Sequence, residues 1–183
     1  MQKATQMTAT KRLVLTAVNI ALCLVLPMAF HSIPNGGKIM LPMHIPVLLC
    51  GMVCGAPYGA VCGLLGPMLS SVLTGMPTAA LMPAMMVECA AYGLTTGLML
   101  RHVRTGKTYA DLYLSLAAAM LVGRLVSGVT KALFFMAGQY TMQAWIAASF
   151  VTALPGIVLQ LAVVPSIVYY LMRAGLILQR YPR

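Results

Sequence analysis

The stretch Arg101-His102-Val103-Arg104-Thr105-Gly106-Lys107 places three fixed positive charges within seven residues. Long apolar runs flank it, about 79–100 before and about 110–136 after. A short polar loop between two membrane helices has this form, because about 20 apolar residues span the hydrocarbon core. Two further clusters lie towards the chain ends: Lys3, Lys11 and Arg12, and Arg173, Arg180 and Arg183. The apolar tracts between clusters are long enough for an even number of crossings, so all three can share one side. Lys and Arg enrich cytoplasmic loops, which predicts that this side is the cytoplasm.

Composition agrees. Hydrophobic residues make up 61% of the 183-residue chain and charged residues 8%. A soluble domain carries about 25% charged residues, so this chain cannot cover a water-facing surface. The net charge of +10 follows from loop asymmetry. No basic patch interleaved with aromatics suggests nucleic acid. Cys23, Cys50, Cys54, Cys62 and Cys89 all fall in apolar segments, without a CxxC pair. They read as small packing residues rather than a disulfide or metal framework. The first apolar run lacks a small-residue cleavage site and is expected to remain in the mature protein.

The expected architecture is an all-α integral membrane protein, a single domain over 1–183. It is a compact bundle of six transmembrane helices with both termini cytoplasmic. The spans are placed at about 12–30, 41–56, 58–75, 79–100, 110–136 and 147–172. The second and third are short, joined by Gly55-Ala56-Pro57-Tyr58 as a tight turn. They are read as short crossings, or one as partly re-entrant where protein covers it. Gly51, Gly55, Gly59 and Gly63 recur every fourth residue, and Gly93 and Gly97 repeat the spacing. Small residues so spaced let helix backbones approach closely in lipid. Several in-span prolines predict bends, which suit a bundle that holds a pocket.

Glu88, Arg124 and Lys131 stand inside predicted spans. A charge at the bilayer centre costs about 2.5–3.5 kcal/mol on insertion scales, so such groups face the bundle interior and pair. Glu88 and Arg124 lie at similar depth, which allows an ion pair, either purely structural or at the floor of a ligand pocket. Lys131 follows Arg124 by seven residues and shares its helix face. It is read as lining the same cavity or as snorkelling to the outer interface. With only Glu88 available in the spans to balance Arg124 and Lys131, one positive charge is left for an anionic ligand group. The outer side also collects His31, Ser32, Asn35, Lys38, His44, Gln139, Tyr140, Gln143 and Trp145, with Gln160 deeper. Pockets combine apolar walls with a few placed polar groups. Trp145 and Tyr140 also fit an interface-anchor role. The candidate binding set is Asn35, Lys38, His44, Glu88, Arg124, Lys131, Gln139, Trp145 and Gln160.

Catalysis finds no constellation. Thr105-Gly106-Lys107-Thr108 resembles the tail of a phosphate-binding loop, but Arg101 stands where its first Gly is required. Asp111 and Glu88 fall at opposite ends of their spans, and the three histidines have no metal-ligand spacing. No cofactor, metal or ATP hydrolysis is expected of this chain.

The residues resemble a substrate-binding S-component of an energy-coupling-factor (ECF) vitamin transporter. The resemblance rests on size, on six short helices, and on Leu41-Pro42-Met43-His44-Ile45-Pro46-Val47-Leu48-Leu49-Cys50-Gly51 continued by Gly55-Ala56-Pro57-Tyr58-Gly59-Ala60. Gly75-Met76-Pro77 and Gly123-Arg124 add to it. Ala17-Val18-Asn19-Ile20-Ala21 matches the family's AxxxA pattern, which implies that Ala17 and Ala21 contact a transmembrane coupling subunit. The resemblance further implies capture of a water-soluble vitamin at the outer face of a bacterial plasma membrane. Reorientation on the coupling subunit, with two partner ATPases, would deliver it. The surplus positive charge favours a carboxylate-bearing substrate, pantothenate first and folate second. The competing expectation is a self-sufficient secondary transporter or channel, which would carry an inverted repeat and an ion-coupling carboxylate.

Overall fold

The computed structural model describes residues 7–30, 36–135 and 141–177, with only the backbone of Lys38, Phe134 and Phe135. Helix α1 (Ala9–Ala29) starts at Thr8, whose hydroxyl accepts from the Lys11 N–H and satisfies a first-turn donor. The short α2 (Gly36–Met40) leads into α3 (His44–Cys54). Then come α4 (Ala56–Thr74), α5 (Met82–His102) and α6 (Thr108–Thr130), the last running on as a π-helical turn over Lys131–Phe135. Helix α7 (Met142–Ile146) passes through a second π-helical stretch, Ala147–Thr152, into α8 (Leu154–Arg173). No strand occurs among the described residues.

Four helices are long and apolar enough to cross a membrane: Ala9–Ala29, Ala56–Thr74, Thr108–Leu133 and Leu154–Arg173. They coincide with the first, third, fifth and sixth expected spans. The other two expected spans have different physics. Helix α5 has 21 residues, but Glu88, Thr95, Thr96 and Arg101 dilute its apolar character. It packs against α3, α4 and α6, which shield it. Helix α3 has only 11 residues, about 16 Å at roughly 1.5 Å per residue, or half the hydrocarbon thickness. The expected 41–56 span is therefore longer than the helix that forms. Nearly every α3 residue is buried, the condition under which a non-spanning segment is tolerated at membrane depth.

Several contacts place the helix ends. The Lys11 ammonium donates to the Leu176 carbonyl, and Tyr109 stacks on Tyr169 at 4.3 Å. A Cβ on Gly97 would strike the backbone of Gly55 and Ala56. The start of α1, the α3–α4 turn, the last turns of α5, the start of α6 and the end of α8 thus lie at one end. The described members of all three basic clusters gather there: Lys11 and Arg12, Arg101 with Arg104 and Lys107, and Arg173.

The glycine spacing does what close packing requires. A Cβ on Gly93 would lie 2.2 Å from the Gly59 carbonyl oxygen, and one on Gly59 would lie 2.6 Å from Gly51 Cα. A Cβ on Gly63 would lie 2.4 Å from the Cys89 backbone. Helices α3, α4 and α5 thus meet backbone to backbone. Gly55, at φ 101°, supplies the turn that folds α4 back on α3. The core is filled by Val47, Leu48, Leu112, Leu116, Val164 and Val168. The five cysteines are buried free thiols. At the α5–α6 loop, buried Asp111 accepts from the Thr105 N–H (2.8 Å) and hydroxyl (2.7 Å). That segment is a self-satisfied turn.

Candidate functional site

Helix α6 presents Arg124, Ser127 and Lys131 at intervals of three and four residues, which puts them on one face. Opposite stands Glu88, six residues inside the start of α5, on the half of that helix remote from the basic end. Ser127 Oγ donates to Glu88 Oε2 at 2.6 Å. Lys131 Nζ lies 3.7 Å from the same oxygen. His44 Nε2, from the start of α3, lies 3.6 Å from Glu88 Oε1. The carboxylate is thus met by an ammonium, a hydroxyl and an imidazole.

The expected pairing of Glu88 with Arg124 is not what forms. Ser127 and Lys131 stand one and two turns above Arg124 and reach the carboxylate first. The Arg124 guanidinium turns to Phe150, 5.3 Å above the ring centroid, a cation–π contact. It is 4% exposed, and its Nη2 has no hydrogen-bond partner among the described residues. Lys131 reaches Glu88 while its side chain stays partly exposed.

Trp145 is anchored rather than free. Its indole N–H donates to the Arg124 carbonyl at 3.1 Å. It lies against Gly128 and meets Phe150 edge-on at 5.7 Å. This ties α7 to the half of α6 remote from the basic end. Buried Gln160, from α8, donates through Nε2 to the Leu41 carbonyl at 3.5 Å, while its Oε1 has no partner among the described residues. The same carbonyl accepts from the His44 N–H at 3.1 Å. Leu41 has φ 49°, in the left-handed region unfavourable to a Cβ-bearing residue. The His44 ring meets Tyr92 edge-on at 5.0 Å, and Tyr92 fills the space beside Gly123.

The structure therefore brings His44, Glu88, Arg124, Lys131, Trp145 and Gln160 into one layer. Asn35 and Gln139 lie outside the described residues, as do His31, Ser32, Tyr140 and the Lys38 side chain. Ser127, Tyr92, Phe150 and Leu41 belong to the layer and escaped the sequence reading. Only Ser127 carried a signal, being midway between Arg124 and Lys131 on their face. An open apolar groove lined by Leu125, Val129, Met142 and Trp145 lies on the outer flank of α6, and no ionisable residue lines it. Among the described residues no group of three His, Cys, Asp or Glu could hold a metal.

Ala17 and Ala21 sit elsewhere, exposed on α1 one turn apart. Leu13, Val14, Val18 and Val25 are exposed on the same helix.

The model of the family described as ECF transporter, substrate-specific component matches residues 11–168. Comparisons with curated proteins and with solved structures give no match. The matched span begins at the basic residue Lys11 that opens α1 and runs into the last turns of α8, taking in every described residue of the polar layer. With most of its length matched, the chain belongs to the family of ECF transporter substrate-specific components.

Proposed function

We propose that this substrate-specific subunit captures a water-soluble vitamin or related micronutrient, pantothenate first and folate second, through the polar layer. The observation that carries the reading is Arg124. It is a buried guanidinium with an unpartnered Nη2, beside a carboxylate already engaged by Lys131 and Ser127. A buried cation lacking an anion is costly, and a ligand carboxylate relieves that cost. Asn35, Lys38 and Gln139 are assigned to the same pocket on sequence grounds.

In this reading the basic end faces the cytoplasm of a bacterium, with both termini there, and the polar layer opens outwards. The six-pass count belongs to the proposal, with α3 as a short, protein-covered pass. Loaded protein reorients on a coupling subunit that docks on Ala17 and Ala21, and two partner ATPases supply the energy. Two small residues one turn apart on an apolar helix face support this docking.

The test is mass spectrometry of small molecules released from purified protein, with a titration that follows Trp145. As the chain's one tryptophan, it reports on the layer directly. Pantothenate is expected among the released compounds and is expected to change Trp145 emission. Purified protein that releases no vitamin and responds to neither pantothenate nor folate would defeat the reading.

A further inference from the structure

The whole chain has two carboxylates. Glu88 belongs to the polar layer, and Asp111 is buried at the basic end, held by Thr105. One carboxylate cannot balance the cations gathered at that end, so their counter-charge comes from the surroundings. Arg173 stands out among them by what lies around it. Tyr169 and Tyr170 precede it by one turn on α8, and Tyr109 follows Lys107 by two residues at the start of α6. The Tyr109 and Tyr169 rings stack across the two helices at 4.3 Å, 25° from parallel, and Tyr170 meets Tyr169 edge-on at 6.0 Å. Tyr113 follows Tyr109 by one turn on the same face. Arg173, Tyr113 and Tyr170 all lie within electrostatic reach of the Tyr109 hydroxyl. Four phenols and a guanidinium thus form one cluster at the α6–α8 seam. A tyrosine that merely anchors a helix at the headgroup level needs no such partner. Here two rings bridge the seam, while Tyr109, Tyr113 and Tyr170 stay 46%, 43% and 66% exposed.

Beyond the rings the seam stays open and apolar. Helix α6 packs along α5 far more extensively than along α8. Ala117 and Leu121 continue the Tyr109–Tyr113 stripe at four-residue steps, and both are exposed. On α8, Ala162 is exposed and Ser166 half-buried, and the Ser166 hydroxyl is satisfied by the Ala162 carbonyl at 2.6 Å. Small residues leave room for a chain that makes no polar demand. From Tyr109 to Leu121 the stripe runs about 18 Å at roughly 1.5 Å per residue, a little more than half of the roughly 30 Å hydrocarbon core. A cation with hydroxyl donors at one end of an apolar track complements an amphiphile with an anionic head, and basic pockets between membrane helices bind such headgroups. We propose that the α6–α8 seam binds an anionic glycerophospholipid of the leaflet at the basic end. Its phosphate meets Arg173 and the tyrosine hydroxyls, and an acyl chain lies along Ala117 and Ala162. A lipid fits the seam better than the coupling subunit does, because α1, the helix proposed to dock there, packs on α3 and α4. The site depends on the membrane reading and is independent of which substrate is captured.

The experiment titrates the full-length protein, in a neutral detergent, with dioleoylphosphatidylglycerol and with dioleoylphosphatidylcholine, and reads bound lipid by native mass spectrometry. The two probes share their chains and differ in net charge. Wild type is expected to hold the anionic lipid about 10-fold more tightly, the range of one charge-assisted contact. Arg173→Gln should lower that ratio to about twofold. Arg104→Gln removes a cation of the same end that lies in the α5–α6 loop, outside the seam, and should keep most of the preference. Ala117→Phe, at an exposed position, fills the track and should weaken both lipids alike by about 5-fold or more. Equal affinities for the two lipids in wild type overturn the proposal. So do equal losses in Arg173→Gln and Arg104→Gln, which would show a diffuse positive surface in place of a site. An Ala117→Phe variant that binds both lipids as wild type does removes the acyl track. If Arg173→Gln leaves lipid binding unchanged and instead weakens association with the coupling subunit, the seam is a protein contact and the lipid site falls.

Discussion

At the residue scale, Glu88 is held by an ammonium, an imidazole and a hydroxyl, so its removal is informative. Glu88→Gln keeps the shape but removes the charge that Lys131 and His44 face. Breaking a fully buried pair costs about 3–5 kcal/mol. Lys131 keeps 28% exposure, so the expected loss is smaller, about 1–2 kcal/mol. Thermal denaturation in detergent should show a melting point lower by several degrees. The double variant Glu88→Gln/Lys131→Met should recover at least half of that loss, since it also removes the ammonium that the first substitution leaves without its carboxylate. A double variant no better than Glu88→Gln would mean that the ammonium does not depend on the carboxylate. The three ionisable members of this site were legible because charges inside apolar tracts are few and must face inwards. Their pairing was not, because depth along a helix does not say which of two cations on one face reaches across. The Leu41 backbone left no trace in composition, as left-handed leucine has no sequence signature.

At the element scale, the helices follow from hydropathy and punctuation, and their departures from regularity do not. The 41–56 tract gave an apolar run but not the shortness of α3, which ends where Gly55 takes φ 101°. The π-helical turns at Lys131–Phe135 and Ala147–Thr152 carry Lys131 and Phe150, both of the polar layer, and such turns often mark functional sites. The glycine repeat was legible, because a four-residue spacing of the smallest residue marks a backbone contact. Its strongest consequence falls at the α4–α5 crossing. Gly93→Ala would put a methyl 2.2 Å from the Gly59 carbonyl oxygen, and two backbones must separate to admit it. A loss of about 2 kcal/mol or more is expected, within the range of overpacked cores. Gly37→Ala, with nothing within 4 Å, is the matched control and should melt within a degree or two of wild type. Equal melting points for the two would show that α4 and α5 do not approach as described.

At the scale of the whole molecule, charge pattern and family membership make separable demands. In the proposed orientation the basic end faces the cytoplasm. All five native cysteines are buried, so an introduced exposed cysteine reports alone. In intact cells, Arg104→Cys should resist a membrane-impermeant thiol reagent, and Met142→Cys, at a position 69% exposed, should react. The reverse result would invert the protein and move the polar layer to the wrong side. The second demand concerns power. The family is that of an importer's substrate-specific subunit, and the docking proposed above uses apolar surface on α1. Ala17 and Ala21 lie on α1, which contributes no described residue to the polar layer, and both are exposed. Replacing both with leucine fills the groove that close helix approach needs while leaving Arg124, Glu88 and Gln160 untouched. Ala17→Leu/Ala21→Leu should therefore keep the Trp145 response to pantothenate within about twofold. Its uptake into cells that express the coupling subunit and ATPases should fall at least tenfold. A carrier working alone would lose neither, because no partner helix would be displaced. Loss of both would mean that α1 packs into the binding layer. Only retained binding with lost uptake fits a capture subunit that borrows its energy from a neighbour.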